Sequence, residues 1–264
     1  MPDFLPDFLR EELNAWAGGM YLRPMRFFYA PSVQVPVHAL EEAEAKHLSR
    51  VLRARAGERV LITDGQGGCH EGEISLLDRK HCSIAILRSE QVPRPEPELT
   101  LVVAPTKSTD RFEWLLEKAT EIGVSRIQPV WTDRSERKQE KMDRWQRILV
   151  SALKQSQRFW LPQLLDPVGF SEFLTSEWGA ATPGKFIAHC EPARPDADKP
   201  HLLQAMNRGE DSWVAIGPEG DFSPAEIEAA ASAGAQEVSL GEARLRTETA
   251  GLAAVHLMQL AQIP

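Results

Sequence analysis

The fold of the C-terminal half is indicated first by residues 215–223, which read AIGPEGDFS. An apolar strand end runs into a glycine-punctuated turn and then directly into a helix. Ser223 is placed to cap that helix, with Pro224 at its first position and Glu226 at the third to complete a capping box. Such a strand–loop–helix unit puts backbone N–H groups at the carboxyl edge of a parallel sheet, where open α/β folds bind ligands. By itself, the glycine motif favours a plain turn between a strand and a helix.

A second unit of the same kind follows in residues 239–251, SLGEARLRTETAG. Upstream, further strands and helices alternate, beginning with the continuous apolar run of residues 99–104, which is typical of a buried parallel strand. Further strands are predicted at 126–131, 185–189, 213–216 and 238–240, with helices over 112–122 and around 145–153. The sequence therefore predicts an α/β domain with a parallel sheet. It contains neither a phosphate-loop motif nor a Rossmann fingerprint, so nucleotide hydrolysis and dinucleotide-dependent redox chemistry are not supported.

Residues 25–92 have a different pattern, with short β-like segments and one helix at 41–52. This pattern predicts a small β-barrel with one helix, the size of many RNA-binding modules. Residues 93–98 are proline-rich and form a predicted linker to the domain of residues 99–264. Residues 1–24 contain a repeated PDFL and are predicted to be an N-terminal extension, with a mobile tail, a packed helix and translation from an upstream start codon as open alternatives.

Bulk properties exclude several classes of protein. No apolar run approaches the roughly 20 residues that a membrane span needs, and the N-terminus has no signal-peptide pattern, so a cytoplasmic location is expected. The cysteines, Cys69, Cys82 and Cys190, are odd in number and widely spaced, which argues against disulfides and against a zinc site.

The net charge of −8 is unevenly distributed along the chain: residues 105–160 carry +4 and residues 161–264 carry −9. Local phosphate contact and solvated helix faces both explain that basic region.

Six ordered segments carry a resemblance to a known family. They are residues 25–28 (MRFF), 47–53 (HLSRVLR), 118–124 (KATEIGV), 152–158 (ALKQSQR), 216–223 (IGPEGDFS) and 240–250 (LGEARLRTETA). Together they resemble the knotted (SPOUT) methyltransferase superfamily, and specifically the ribosomal RNA uracil-N3 methyltransferases of the small subunit. Two positions depart from that pattern: Asp221 stands where many relatives have glycine, and Lys154 where many have an acidic residue.

The resemblance implies a small PUA-like β-barrel followed by a trefoil-knotted α/β methyltransferase domain that works as a homodimer. The implied activity is methylation of N3 of a uridine in 16S ribosomal RNA, within the small ribosomal subunit, with S-adenosylmethionine as the cofactor and without a metal. Three loops are expected to hold the cofactor. Their residues are His189, Cys190, Glu191, Ile216, Gly217, Pro218, Glu219, Gly220, Leu240, Gly241, Leu245, Arg246 and Thr249.

Catalytic and RNA-binding roles are predicted for a few basic residues. Arg246 is predicted to stabilise negative charge on the uracil carbonyls, with a structural bridge to Glu219 or Glu248 as the alternative. His189 is a candidate general base by position only. Candidate RNA contacts, each also explicable as an ordinary surface charge, are Arg26, Arg50, Arg53, Lys107, Arg111, Arg134 and Arg158. Two other functions stay open: an RNA-binding protein without catalysis, and a knotted methyltransferase that modifies transfer RNA or ribose.

Overall fold

A computed structural model describes residues 25–50, 53–136, 141–176, 178, 184–190 and 198–263. These residues divide into two compact units. The first contains the described residues up to Arg94 together with Leu153–Leu161, and the second contains Pro95–Ala152 and the described residues from Pro162 onwards. The predicted N-terminal extension, residues 1–24, lies outside the described residues.

The first unit is built on a five-stranded sheet. Its elements are β1 (Arg26–Tyr29), β2 (Val37–Leu40), α1 (Glu42–Arg50), β3 (Arg59–Thr63), β4 (Gly68–Leu77) and β5 (Cys82–Gln91). The strand order is β1-β3-β4-β5-β2, with β1 parallel to β3 and the other neighbours antiparallel. Side chains from the sheet and α1 form a core that includes Phe28, Leu48, Ile62, Ile74 and Ile84. Within this unit, the sequence pattern missed strand β2, whose four residues alternate between exposed and buried.

A segment distant in sequence completes the first unit. The side chain of Phe159 packs in a small core with Leu61, Cys69 and Val92, and its ring meets that of Phe27 edge-on at 5.4 Å between centroids. The main chain of Leu161 also donates to the carbonyl oxygen of Gly65. The predicted boundaries place residues 153–161 in the C-terminal domain, whereas the structure groups them with the first unit. The burial of apolar surface against β3 and β4 accounts for the difference.

From Leu99 onwards, the chain alternates strands and helices. In chain order these are β6 (Leu99–Val103), α2 (Thr109–Ile122), β7 (Arg126–Trp131), α3 (Met142–Ser156), β8 (Gln163–Leu164), β9 (Val168–Gly169), α4 (Phe170–Thr175), β10 (Lys185–Ala188), α5 (Leu202–Ala205), β11 (Ser212–Ile216), α6 (Pro224–Ser232), β12 (Gln236–Val238) and α7 (Thr247–Leu260). The sheet order is β12-β10-β11-β6-β7-β8, with β9 paired to β7. All of these pairings are parallel, which confirms the predicted α/β class.

Burial explains why the central strands could be predicted. Every residue of β6 and β11 is buried, as expected for parallel strands covered on both faces. Helices α4 and α6 contribute to an aromatic-rich core with Phe170, Phe173, Trp213 and Phe222 among its members. Helix α7 packs on α2 and also contacts β6 and β11.

The predicted helix boundaries are confirmed at two informative positions. Helix α2 ends at Gly123, which has φ = 109° and donates its N–H to the carbonyl oxygen of Ala119. A left-handed residue in this position favours glycine, because a side chain there would clash with the backbone. Helix α6 begins with the complete capping box of Ser223 and Glu226. That cap fixes the point at which the loop after β11 ends.

Candidate active site

The candidate functional site lies at the carboxyl ends of three neighbouring strands. Strand β10 pairs with β11 on one side and β12 on the other, so the loops after these strands leave the sheet at the same edge. Together with the start of α7 they surround a cavity of about 420 Å³. A cavity of this size at this edge of a parallel sheet is a typical small-molecule site.

Most of the predicted cofactor residues line this one cavity. They are His189, Cys190, Ile216, Gly217, Pro218, Glu219, Leu240, Gly241, Leu245 and Arg246. Gly220 and Thr249 do not line it, and Glu191 lies outside the described residues. The geometry therefore brings the three predicted loops together, while the binding of a cofactor by each residue stays a prediction.

Local structure explains the two exceptions. Gly220 packs against Arg134: a β-carbon at Gly220 would lie 3.3 Å from the Arg134 β-carbon, and Arg134 Nη1 donates to the Gly220 carbonyl oxygen at 2.8 Å. Thr249 is exposed in the first turn of α7, and the next residue, Ala250, lines the cavity instead. Gly220 and Thr249 therefore lie next to residues that line the cavity and do not line it themselves.

Sequence reasoning missed several lining residues. They are Arg111, Ala188, Asp221, Val238, Ser239, Ala243, Arg244, Thr247 and Ala250. Most of them belong to the three loops and could have been included by extending each predicted loop by one or two residues. Arg111 is different, because it comes from α2, far earlier in the chain than any of the three loops, and no local motif connects it to the cavity.

His189 has a structural environment that argues against the role of general base. Its side chain is fully buried, and its Nε2 lies 2.8 Å from Glu237 Oε2 on β12. Lys199 Nζ donates to the His189 carbonyl oxygen at 2.7 Å and lies 3.4 Å from its Nδ1. Burial lowers the pKa of His189, although the hydrogen bond to Glu237 acts in the opposite direction. Since both ring nitrogens face protein partners, we assign His189 to holding the first loop.

Arg246 is the N-cap residue of α7; it is exposed and is one of the residues that line the cavity. The alternative sequence-based prediction was a bridge to Glu219 or Glu248. Glu219 Oε1 instead accepts the main-chain N–H of Lys107 at 3.0 Å, and Glu248 Oε1 lies 3.7 Å from Arg111 Nε. Within the described part of the chain, no ion pair joins Arg246 to either glutamate, and its role in charge stabilisation stays a prediction.

Comparisons with known proteins agree with this geometry. Residues 93–259 match the RNA methyltransferase domain family, and residues 40–87 match the RNA methyltransferase PUA domain family. The chain is 31% identical to the ribosomal RNA small subunit methyltransferase E of Synechocystis over 248 residues, which cover 93% of this chain and 80% of that protein.

The chain belongs to the ribosomal RNA small subunit methyltransferase E family.

Solved structures of similar proteins extend over both units. A probable rRNA-methyltransferase from Porphyromonas gingivalis is 38% identical with a TM-score of 0.81, covering 90% of this chain and 98% of its own. A ribosomal RNA small subunit methyltransferase E from Neisseria gonorrhoeae, solved bound to S-adenosyl methionine, is 30% identical with a TM-score of 0.78 and the same coverage. The PUA domain and the α/β methyltransferase domain of this family therefore account for the two units described above.

The predicted RNA-contact residues are distributed over both units of this methyltransferase E family member. In the first unit, Arg26 pairs with Glu58 at 3.3 Å, Arg50 and Arg53 are exposed, and Arg158 is half-buried. Burial lowers the pKa of the Arg158 guanidinium. Contact between these residues and RNA stays a prediction.

The remaining basic candidates, in the second unit, have partners within the protein. Lys107 Nζ pairs with Glu136 Oε2 at 2.5 Å, Arg111 lines the cavity, and Arg134 holds Gly220. For Arg134 at least, the structure supplies a role other than RNA contact. Among the described residues, no group of three or more His, Cys, Asp or Glu is arranged to hold a metal ion, and no helix is long and apolar enough to cross a bilayer.

Proposed function

We propose that this chain methylates N3 of a uridine in 16S ribosomal RNA of the small subunit, using S-adenosylmethionine. The observation that carries the proposal is the cavity of about 420 Å³ formed by the loops after β10, β11 and β12. Support comes from family membership and from the Neisseria gonorrhoeae relative, whose structure contains S-adenosyl methionine. The cavity and the family membership therefore both favour methyl transfer from S-adenosylmethionine.

The lining of the cavity fits this cofactor. Ile216, Val238, Leu240 and Leu245 supply apolar walls of the kind that the purine and the hydrocarbon parts of this cofactor require. Gly241, with φ = 118°, has no other atom within 4 Å of where a β-carbon would be, so a ligand can approach the main chain there. When bound, the cofactor supplies a methyl group that is already electrophilic, because it is attached to a sulfonium.

Charged residues of both signs surround the cavity. Arg111, Arg244 and Arg246 are basic, while Glu219 and Asp221 are acidic. A mixed lining of this kind suits a cofactor that has both an ammonium and a carboxylate group. It also leaves basic side chains for a substrate that becomes negatively charged.

In the proposed reaction, Arg246 stabilises the charge on the target base. A uracil that loses its N3 proton delocalises negative charge onto its two carbonyl oxygens, and a guanidinium is a suitable partner for such oxygens. Its exposed position at the cavity wall allows this contact. We assign no general base among the described residues. The target base must be unstacked or flipped out to reach the cavity.

Three finer features belong to the same proposal. The α/β domain is trefoil-knotted, the protein functions as a homodimer, and the PUA domain contributes RNA affinity in the cytoplasm. The family resemblance in the sequence supports the knotted arrangement, and the parallel sheet with β11 between β6 and β10 is compatible with it. Light scattering after size-exclusion chromatography measures the oligomeric state, and a monomer at working concentration would contradict the homodimer.

The decisive experiment is a reverse-transcription stop assay on 16S ribosomal RNA. A methyl group on uracil N3 blocks the Watson–Crick edge, so primer extension should stop at one uridine in the wild type and read through in a strain lacking the gene. Complementation with the wild-type chain, but not with Arg246→Ala, should restore the stop. An unchanged stop pattern in the deletion strain would contradict the proposed substrate.

Two further measurements distinguish the proposed function from its two rivals. A non-catalytic RNA-binding protein would fail to bind S-adenosylmethionine in calorimetry. A methyltransferase acting on transfer RNA or on ribose would leave the 16S stop unchanged and place its mark elsewhere, which mass spectrometry of digested RNA detects.

A further inference from the structure

Asp221 connects two of the three loops that surround the cavity. Its Oδ2 accepts the main-chain N–H of Cys190 at 2.6 Å, and its Oδ1 accepts the main-chain N–H of Phe222 at 2.7 Å. Cys190 belongs to the loop after β10, whereas Asp221 and Phe222 belong to the loop after β11. One carboxylate therefore links two segments that are about thirty residues apart in the chain.

The backbone at Asp221 is in the left-handed region, with φ = 63°. Its N–H donates to the carbonyl oxygen of Pro218 at 2.9 Å, which closes the turn. This conformation favours glycine, and among other residues aspartate and asparagine tolerate it best. The aspartate therefore allows the turn and also supplies a side chain that reaches the neighbouring loop.

His189, the other described residue at the start of the first loop, is held from other directions. The ring of His189 hydrogen-bonds to Glu237 on β12, and its carbonyl oxygen accepts from Lys199. Asp221 adds the bond to the next main-chain N–H, that of Cys190. Both His189 and Cys190 line the cavity.

We propose that Asp221 is a positioning residue that fastens the Cys190 main chain to the loop after β11 and so preorganises the cavity for its cofactor. Both carboxylate oxygens accept main-chain N–H groups, so the residue acts through the loops rather than on the reacting atoms. Preorganised loops reduce the ordering cost of binding, which raises affinity without requiring a new contact. The identity of the cofactor rests on the function proposed above, whereas the link between the loops does not.

The test compares Asp221→Gly and Asp221→Asn with the wild type. Glycine keeps the left-handed turn and removes both hydrogen bonds, while asparagine keeps the turn and one acceptor oxygen. In calorimetry with S-adenosylmethionine we expect a Kd about tenfold higher for D221G and an intermediate value for D221N. The KM for the cofactor should rise in parallel, with kcat at saturating cofactor within about twofold of the wild type.

Glu242→Gln is the matched control for charge. Glu242 is an exposed carboxylate on the third loop and does not line the cavity, so its neutralisation changes the local charge by the same amount. We expect cofactor affinity to be unchanged in E242Q. An equal loss in E242Q and D221G would mean that charge, and not the link between the loops, determines affinity.

A second readout needs no cofactor. Cys190 is exposed, so the rate at which iodoacetamide alkylates its thiol reports on the freedom of the first loop. The rate should increase about threefold or more in D221G and less in D221N, since each lost hydrogen bond contributes roughly that factor or more to an opening equilibrium. Thermal unfolding monitored by circular dichroism checks that both variants are folded, and D221N carries the test if D221G is not.

The outcomes separate this inference from the proposed function. If the wild type binds S-adenosylmethionine while D221G binds it within twofold and alkylates at the wild-type rate, the positioning role is wrong and the function stands. If the wild type itself does not bind S-adenosylmethionine, the function fails, and the alkylation rates still decide whether Asp221 holds the loop.

Discussion

Arg134 holds the main chain of Gly220: its Nη1 donates to the Gly220 carbonyl oxygen at 2.8 Å and to that of Phe222 at 3.1 Å. Arg134, which the sequence suggested as an RNA contact, therefore stabilises the loop after β11. Its guanidinium satisfies two carbonyl oxygens that the turn leaves without helical or strand partners.

Arg134→Ala should weaken cofactor binding. The loss of a charge-assisted hydrogen-bond pair at an exposed position costs about 1 to 1.4 kcal/mol, which corresponds to a Kd roughly fivefold to tenfold higher. Calorimetry with S-adenosylmethionine measures the change, and Arg147→Ala, on the exposed face of α3, serves as the control. A lower salt dependence of RNA binding with unchanged cofactor affinity would instead support the original RNA-contact prediction.

The architecture was largely predictable because its signals are local. The apolar runs that became β6 and β11, the glycine that ends α2 and the capping box of α6 depend on residues within a few positions of one another. Helix α4 was missed because six residues are too few to show a helical period. The loops of the cavity were found through their glycines and through the family resemblance.

Contacts between distant segments could not be predicted in the same way. Arg134 meets a loop 86 residues later, and Asp221 reaches the main chain of a loop 31 residues earlier. Arg111 enters the cavity wall from α2. Each of these depends on how the sheet orders its strands, so the charge pattern alone suggested only a basic surface.

Arg246→Ala should strongly slow methyl transfer while cofactor binding survives. Removing a group that stabilises charge developing in the transition state typically lowers kcat by about 10²- to 10³-fold. Arg246→Lys keeps the charge but loses the planar pair of donors, so an intermediate rate is expected. Single-turnover transfer to 16S ribosomal RNA and calorimetry with S-adenosylmethionine give the two quantities. Full activity in R246A would exclude the proposed role.

The stability of the second unit should depend on pH through His189. Burial lowers the pKa of this ring, so the folded protein takes up a proton less readily than the unfolded chain. The contribution of the neutral His189 ring to the free energy of unfolding is therefore at its maximum above the ordinary histidine pKa of about 6.5, and it is lost as the pH falls below that value. His38 and His70 have pKa values shifted in the same direction, so the effect must be isolated by comparison.

His189→Gln removes the titrating ring from this position. The Tm advantage of the wild type over H189Q should therefore be largest near neutral pH and should shrink as the pH is lowered from about 7.5 to about 5. Calorimetric scans at several pH values measure it. A difference that stays constant over this range would show that His189 does not contribute to the pH dependence.

Cys190 should be the thiol that reacts in the folded protein, and the cofactor should protect it. The sequence contains three cysteines, and Cys69 and Cys82 are buried. Burial raises the pKa of the Cys69 thiol to about 12 and that of Cys82 to about 11, so neither forms a thiolate near neutral pH. Cys190 is exposed and lines the cavity.

Because Cys190 lines the cavity, saturating S-adenosylmethionine should slow alkylation of the native protein about tenfold or more. A ligand at 10 times its Kd leaves roughly a tenth of the sites open. Peptide mass spectrometry identifies the modified cysteine, and Cys190→Ser provides the control, in which native alkylation should disappear. If cofactor binds but leaves the rate unchanged, it does not occupy the cavity at Cys190.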